Sequence, residues 1–106
     1  MAFEVALETT PETAKITLKG ELDAASAPRF KEIIEKAAVS SPARLVLFVN
    51  DLTFLASAGL RVLIFAKQKM GAGVQIYVIG SQGPVRGTLE MSGFHHSVYL
   101  QDSYGD

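Results

Sequence analysis

The sequence predicts a single α/β domain, a mixed sheet of four to five strands with helices packed against it. Three observations carry this. Two segments of alternating apolar and polar residues open the chain. After them, stretches of helical period alternate with short apolar runs of strand length. At 106 residues, with 48% apolar and 20% charged side chains, the chain has the size and balance of one globular domain over residues 1–106. Two strands followed by helix and strand in turn suit a hairpin and then right-handed parallel crossovers.

Phe3, Val5 and Leu7 alternate with Glu4, Ala6 and Glu8, the period of a strand with one buried face. Pro11 presets a turn, and Lys15 to Lys19 alternates again with Ile16 and Leu18 on one side, so the two segments read as an antiparallel hairpin. Gly20-Glu21-Leu22-Asp23 interrupts the alternation. Phe30, Ile33, Ile34, Ala37 and Ala38 then recur at helical spacing, with Ser26 as the expected N-cap and Pro28 in the first turn. Leu45 to Val49 is a nearly continuous apolar run, which suits a central strand covered on both faces. Asn50-Asp51 reads as a polar break after it, Asp51 as a turn residue.

Helical spacing resumes from Leu60 to Met70, with Gly71 and Gly73 as stop signals. Val74 to Ile79 reads as a strand. A short helix opens at Pro84, turns Val85 and Leu89 inward and stops near Gly93. His95 to Leu100 is expected as a last short strand, and the polar residues 101–106 are expected to fray.

Composition excludes several functions. A formal net charge of −1 with mixed signs offers no basic stripe for nucleic acid, and no Lys/Arg run flanks an apolar helix for anionic lipid. The apolar runs fall short of a membrane span, and the N-terminus has no basic region before an apolar one. Cysteine is absent, which removes disulfides, thiolate metal sites and thiol chemistry and suits the reducing cytoplasm. His95 and His96 are adjacent, so on a strand they face opposite sides, and with no other His or Cys no metal is expected. Gly80 to Gly83 lacks the Lys of a phosphate-binding loop and reads as a turn. Glu21, Asp23 and Asp51 come with no nucleophile–base set, so a binding protein without a cofactor is expected rather than an enzyme.

The most informative junction lies before the second long helix. Ser57 stands where an N-cap belongs, and the helix end favours an added phosphate through its unpaired N–H groups and partial positive charge. The plainer alternative is a serine that only caps. Leu60, Val62, Leu63, Ala66 and Met70 gather on one face, while Arg61, Ile64, Phe65 and Gln68 lie on the side that Ser57 shares. Ile64 and Phe65 there are either anchors of a partner-binding patch or residues that another element covers.

Gly20-Glu21-Leu22-Asp23, the helix after it, and Leu52-Thr53-Phe54-Leu55-Ala56-Ser57-Ala58-Gly59-Leu60 together resemble the STAS domain family, within it the bacterial anti-sigma factor antagonists. The resemblance implies a partner switch. An unphosphorylated antagonist binds an anti-sigma factor that is also a serine kinase; phosphorylation releases it, and a PP2C-type phosphatase restores it. Position by position it places the phosphoacceptor on Ser57 and the family's loop acid on Asp23. The frequent Asp-Ser-Ser-Gly of antagonists reads Ala56-Ser57-Ala58-Gly59 here, so the acceptor and the glycine remain while the acid and second serine do not. A constitutive STAS interaction subunit, or a small nucleotide- or lipid-binding STAS domain, are the alternatives. An exposed patch is compatible with a monomer or a weak homodimer.

Overall fold

The computed structural model describes residues 2–71 and 73–105; Met1, Ala72 and Asp106, the last within the stretch expected to fray, lie outside the described residues. Strands β1 (Glu4–Thr9) and β2 (Thr13–Leu22) form the expected antiparallel hairpin, in register from Glu4 opposite Lys19 to Thr9 opposite Ala14. The Thr10 N–H closes the turn on the Thr13 carbonyl at 2.8 Å. Next come α1 (Ala27–Val39), β3 (Arg44–Leu55), α2 (Ser57–Met70), β4 (Gln75–Ile79), α3 (Gly83–Ser92), a 3₁₀ turn (Phe94–Ser97) and β5 (Tyr99–Gln101). The sheet order is β1-β2-β3-β4-β5, and every pair after the hairpin is parallel. Parallel neighbours need a crossover, and each helix supplies one.

One apolar core joins these layers. Ile16 and Leu18 of β2, Leu45, Leu47 and Val49 of β3, and Ile76 and Val78 of β4 turn to the same cluster as Phe30, Ile34 and Ala37 of α1. Val62, Leu63 and Ala66 of α2 and Val85 and Leu89 of α3 enter that cluster as well. Side chains two apart on a strand share a face, so all three helices cover one side of the sheet. The inner faces of α1, α2 and α3 are therefore those that helical spacing predicts.

β3 is covered on both faces by different means. Helices pack on Leu45 and Leu47; on the other side Val46 is fully buried without belonging to the main core. There Tyr77 and Tyr99 stack with ring centroids 4.9 Å apart, and Tyr104 meets Tyr77 edge-on at 5.3 Å. The C-terminal residues thus fold back over the sheet. Within the stretch expected to fray, Gln101 pairs with Ile79 in β5 and the Tyr104 ring meets Tyr77 and the Lys15 ammonium.

Three boundaries differ from the sequence expectation. Gly20–Leu22 does not interrupt β2, and Asn50-Asp51 does not end β3; Lys19 pairs with Asp51 and Leu22 with Leu55. Register shifts between Thr17 and Lys19 and between Gly20 and Glu21 absorb the irregularity, with Gly20 at φ +88° where a Cβ would overlap the Ala2 carbonyl. His95 and His96 lie on the 3₁₀ turn rather than on a strand, their rings 3.9 Å apart, because Gly93 at φ +79° ends α3 and starts a tight turn. The Asn50–Leu55 stretch therefore belongs to a strand that outruns β4, whose pairing with β3 stops at Phe48 opposite Ile79.

Candidate partner-binding site around Ser57

The extension of β2 and β3 places the candidate residues. Leu22 and Leu55 end the two strands side by side, and the Ala56 N–H donates to the Leu22 carbonyl at 2.8 Å. Asp23 and Ser57, far apart in sequence, therefore leave the same end of the sheet. Gly59 lets α2 start there: a Cβ on it would stand 2.6 Å from Leu22 Cγ and 2.9 Å from Leu55 Cδ1. Any side chain there would push one of those two leucines aside.

Ser57 is not the N-cap. Ala56 holds that position with extended backbone (φ −83°, ψ 167°), and the Leu60 N–H donates to its carbonyl at 3.0 Å. Ser57 is the first helical residue, exposed, and no side chain caps the helix. An alanine cannot accept the free N–H groups of the first turn, and no acid occupies that turn. The end of α2 therefore keeps its partial positive charge uncompensated by its own side chains.

Asp23 is more ordered than a solvated loop acid. Its Oδ1 accepts the Ala25 and Ser26 N–H groups, each at 3.1 Å, and lies 3.0 Å from the Ser26 hydroxyl. The Ser26 amide and hydroxyl hold the Asp23 carboxyl below its ordinary value. Ser26 occupies the N-cap position of α1 but does not cap it, because its backbone is already helical (φ −94°, ψ −17°). Its buried hydroxyl accepts the Asp23 N–H at 2.9 Å and stands 3.0 Å from the Glu21 carbonyl, so it brackets the loop instead. Spacing alone, which favours a cap, conceals that role.

Along α2, Ser57, Arg61, Ile64 and Gln68 form an exposed stripe opposite the buried Gly59, Val62, Leu63 and Ala66. Ile64 keeps 40% of its surface exposed. Phe65, which helical spacing puts on the same side, is partly buried, with the Lys31 ammonium of α1 4.8 Å from its ring centroid. It sits about 80° round the helix from Ser57, far enough for α1 to reach it. Phe54 is the apolar residue that sequence reasoning missed. It is 44% exposed at the end of β3, three residues before Ser57, opposite Glu21. Alternation from Leu52 would bury it, but Leu52 and Leu55 are the buried pair, and the irregular register breaks the parity.

Residues 4–106 match the STAS domain family along nearly the whole chain. The chain belongs to the STAS domain family. Anti-sigma-F factor antagonist RsfB of Mycobacterium tuberculosis is 26% identical over 93 residues, which are 88% of this STAS chain and 76% of RsfB. An anti-sigma factor antagonist from Mycobacterium paratuberculosis superposes with a TM-score of 0.87 at 22% identity, over 96% of this chain and 87% of that one. The antagonist SpoIIAA in its unphosphorylated form superposes with a TM-score of 0.74 at 20% identity, over 97% and 90% of the two chains. This STAS domain is thus distantly homologous to anti-sigma factor antagonists. Among the described residues, no helix is long and apolar enough to cross a membrane.

Proposed function

We propose that this domain is an anti-sigma factor antagonist worked by phosphorylation of Ser57, its partner an anti-sigma factor with serine kinase activity. Unphosphorylated, the surface that includes Asp23, Ser57, Arg61, Ile64, Phe65 and Gln68 binds that partner in the cytoplasm. Phosphorylated, it lets go, and a PP2C-type phosphatase resets it. The domain has no catalytic role of its own in this scheme. The observation that carries the reading is the exposed Ser57 hydroxyl at a helix start that no side chain caps. A kinase can reach it, and the fold gives up no capping bond when it is modified. A phosphate adds about −1.5 to −2 charges in the middle of a surface with apolar Ile64 and Phe54. Like charge across an interface costs several kcal/mol, and each 1.4 kcal/mol is about tenfold in affinity.

Ala56 in place of the frequent acid favours a second reading, a constitutive STAS interaction subunit. One experiment separates them. Wild type, Ser57→Ala and Ser57→Asp are used as baits in lysate of the native organism, with bound proteins identified by mass spectrometry. Capture of a kinase-like anti-sigma factor by wild type and Ser57→Ala but not by Ser57→Asp supports the switch. The same captured proteins on all three baits would support the constitutive subunit.

A further inference from the structure

The side of the sheet away from the helices divides into two halves. Over β4 and β5 it carries Tyr77, Tyr99 and Tyr104, and Val46, in register with Tyr77, is fully buried. Over β1 and β2, Glu4, Ala6, Glu8 and Lys19 stand exposed. Ala14, Ile16 and Leu18 turn to the helices, so Lys15, Thr17 and Lys19 turn away, and the β1 residues opposite them share that face. The rows are Glu4 beside Lys19, Ala6 beside Thr17 and Glu8 beside Lys15. Among the described residues, Glu4, Glu8 and Lys19 close no ion pair. Two hollows open to solvent flank the small middle row, one of about 290 Å³ between Glu4 and Lys19 and one of about 250 Å³ beside Glu8, Lys15 and Phe48.

We infer that a second copy of this chain covers this half of the face, in a two-fold dimer packed hairpin on hairpin. A two-fold axis parallel to the strands, midway between β1 and β2, lays β1 of each copy over β2 of the other and keeps every residue at its own height. Glu4 then faces Lys19 of the second copy, Glu8 faces its Lys15 and Ala6 its Thr17. The charge pattern is thus complementary to itself, as a two-fold interface requires. Turning the second copy end over end would instead set Glu4 over Glu8 and Lys15 over Lys19, so like charge excludes that arrangement and fixes the register. Aligned sheets pack about 10 Å apart, and the two hollows receive the long side chains that cross the gap.

Three strands about 4.8 Å apart and about 20 Å long give a patch of roughly 300 Å², below the roughly 800 Å² per partner of a standard interface, so the dimer is weak. Helix α2 packs on the opposite side of the sheet, which leaves the Ser57 surface free in both copies. The inference therefore does not rest on the Ser57 switch.

Sedimentation and ¹⁵N spectra over a protein concentration series test it. Wild type is expected to dimerise at about 0.1–1 mM in low salt, shifting the amides of Ala6, Thr17 and Phe48. The dimer is expected to weaken at least fivefold at about 1 M salt, where the screening length is about 3 Å. Glu4→Lys and Lys19→Glu, both at exposed positions, are each expected to stay monomeric. Their equimolar mixture is expected to pair again, because every facing charge is then opposite. A wild type monomeric throughout that range, single variants that dimerise like wild type, or a mixture that stays monomeric would each overturn the inference. So would shifts confined to α2 and Phe54, which would place the contact on the Ser57 surface. Ser57→Asp is expected to dimerise as wild type does, and loss of the dimer in it would overturn the inference too. Failure of the switch in partner capture would leave all of these readouts unchanged.

Discussion

Adding a single methyl group at Gly59 tests whether the start of α2 is seated as the structure places it. Ordinary van der Waals contact begins at 3.4 Å, so a Cβ lying 2.6 Å from Leu22 Cγ is 0.8 Å too close, and Leu55 Cδ1 blocks a second direction at 2.9 Å. Leu22 is 1% and Leu55 3% exposed, so neither has solvent to move into. The end of β2 is also tied to α2 by the bond from Ala56 N–H to Leu22. Overpacking of this kind costs about 1–3 kcal/mol, while replacing a helical glycine by alanine gains up to about 1 kcal/mol. Gly59→Ala is therefore expected to lose about 1 kcal/mol net. Gly59→Val, with two more methyl groups and little propensity gain, is expected to lose about 3 kcal/mol. Urea denaturation with a constant m-value measures both. If Gly59→Ala matches or exceeds wild-type stability, Leu22 and Leu55 are not held in place. Gly59 then does not position Ser57.

Other variants separate surface from support. Ile64→Asp is expected to stay within about 0.5 kcal/mol of wild type while losing partner binding, whereas Phe65→Asp, packed beside Lys31, is expected to lose about 1–3 kcal/mol by denaturation. Ser26→Ala removes one of the groups that depress the Asp23 pKa, so NMR titration is expected to show that pKa rising part of the way to its ordinary 3.8. A depressed carboxyl stabilises the fold above its unfolded pKa and loses that contribution as pH falls through the folded value. Ser26→Ala should therefore flatten the acid limb of the stability curve, and an unchanged limb would deny Asp23 that role. Ser57→Asp is expected to leave amide-exchange protection at Ala56 and Leu60 as in wild type; faster exchange there would mean that the first turn of α2 melts.

Much of the fold was legible because burial imposes period. The hairpin, the inner faces of three helices and the apolar strand β3 all follow from spacing two or three-and-four apart. What misled was local chemistry with two uses. Ser26 and Ser57 are both good capping residues, yet one brackets a loop and the other begins its helix after an extended alanine. Asn50 and Asp51 look like a turn, yet parallel pairing with β2 carries them as strand. Phe54 was hidden by a register shift that no side-chain pattern announces. The family resemblance reached the Asp23 and Ser57 motifs directly, but it carried no information about which apolar neighbours stay exposed.

The geometry bears on how a switch at Ser57 would act. β2 and β3 outrun the rest of the sheet, and their joined ends hold Asp23 through three contacts to Oδ1 and Ser57 through the seat of Gly59. Each element is fixed by partners that do not involve the Ser57 hydroxyl. A surface already ordered before binding loses little entropy on association, so its affinity is set by complementarity at contact. On the proposed switch, a phosphate would then work by charge and desolvation at the interface rather than by refolding α2. That is the case in which one modified serine, with no bistable element behind it, can separate two folded proteins.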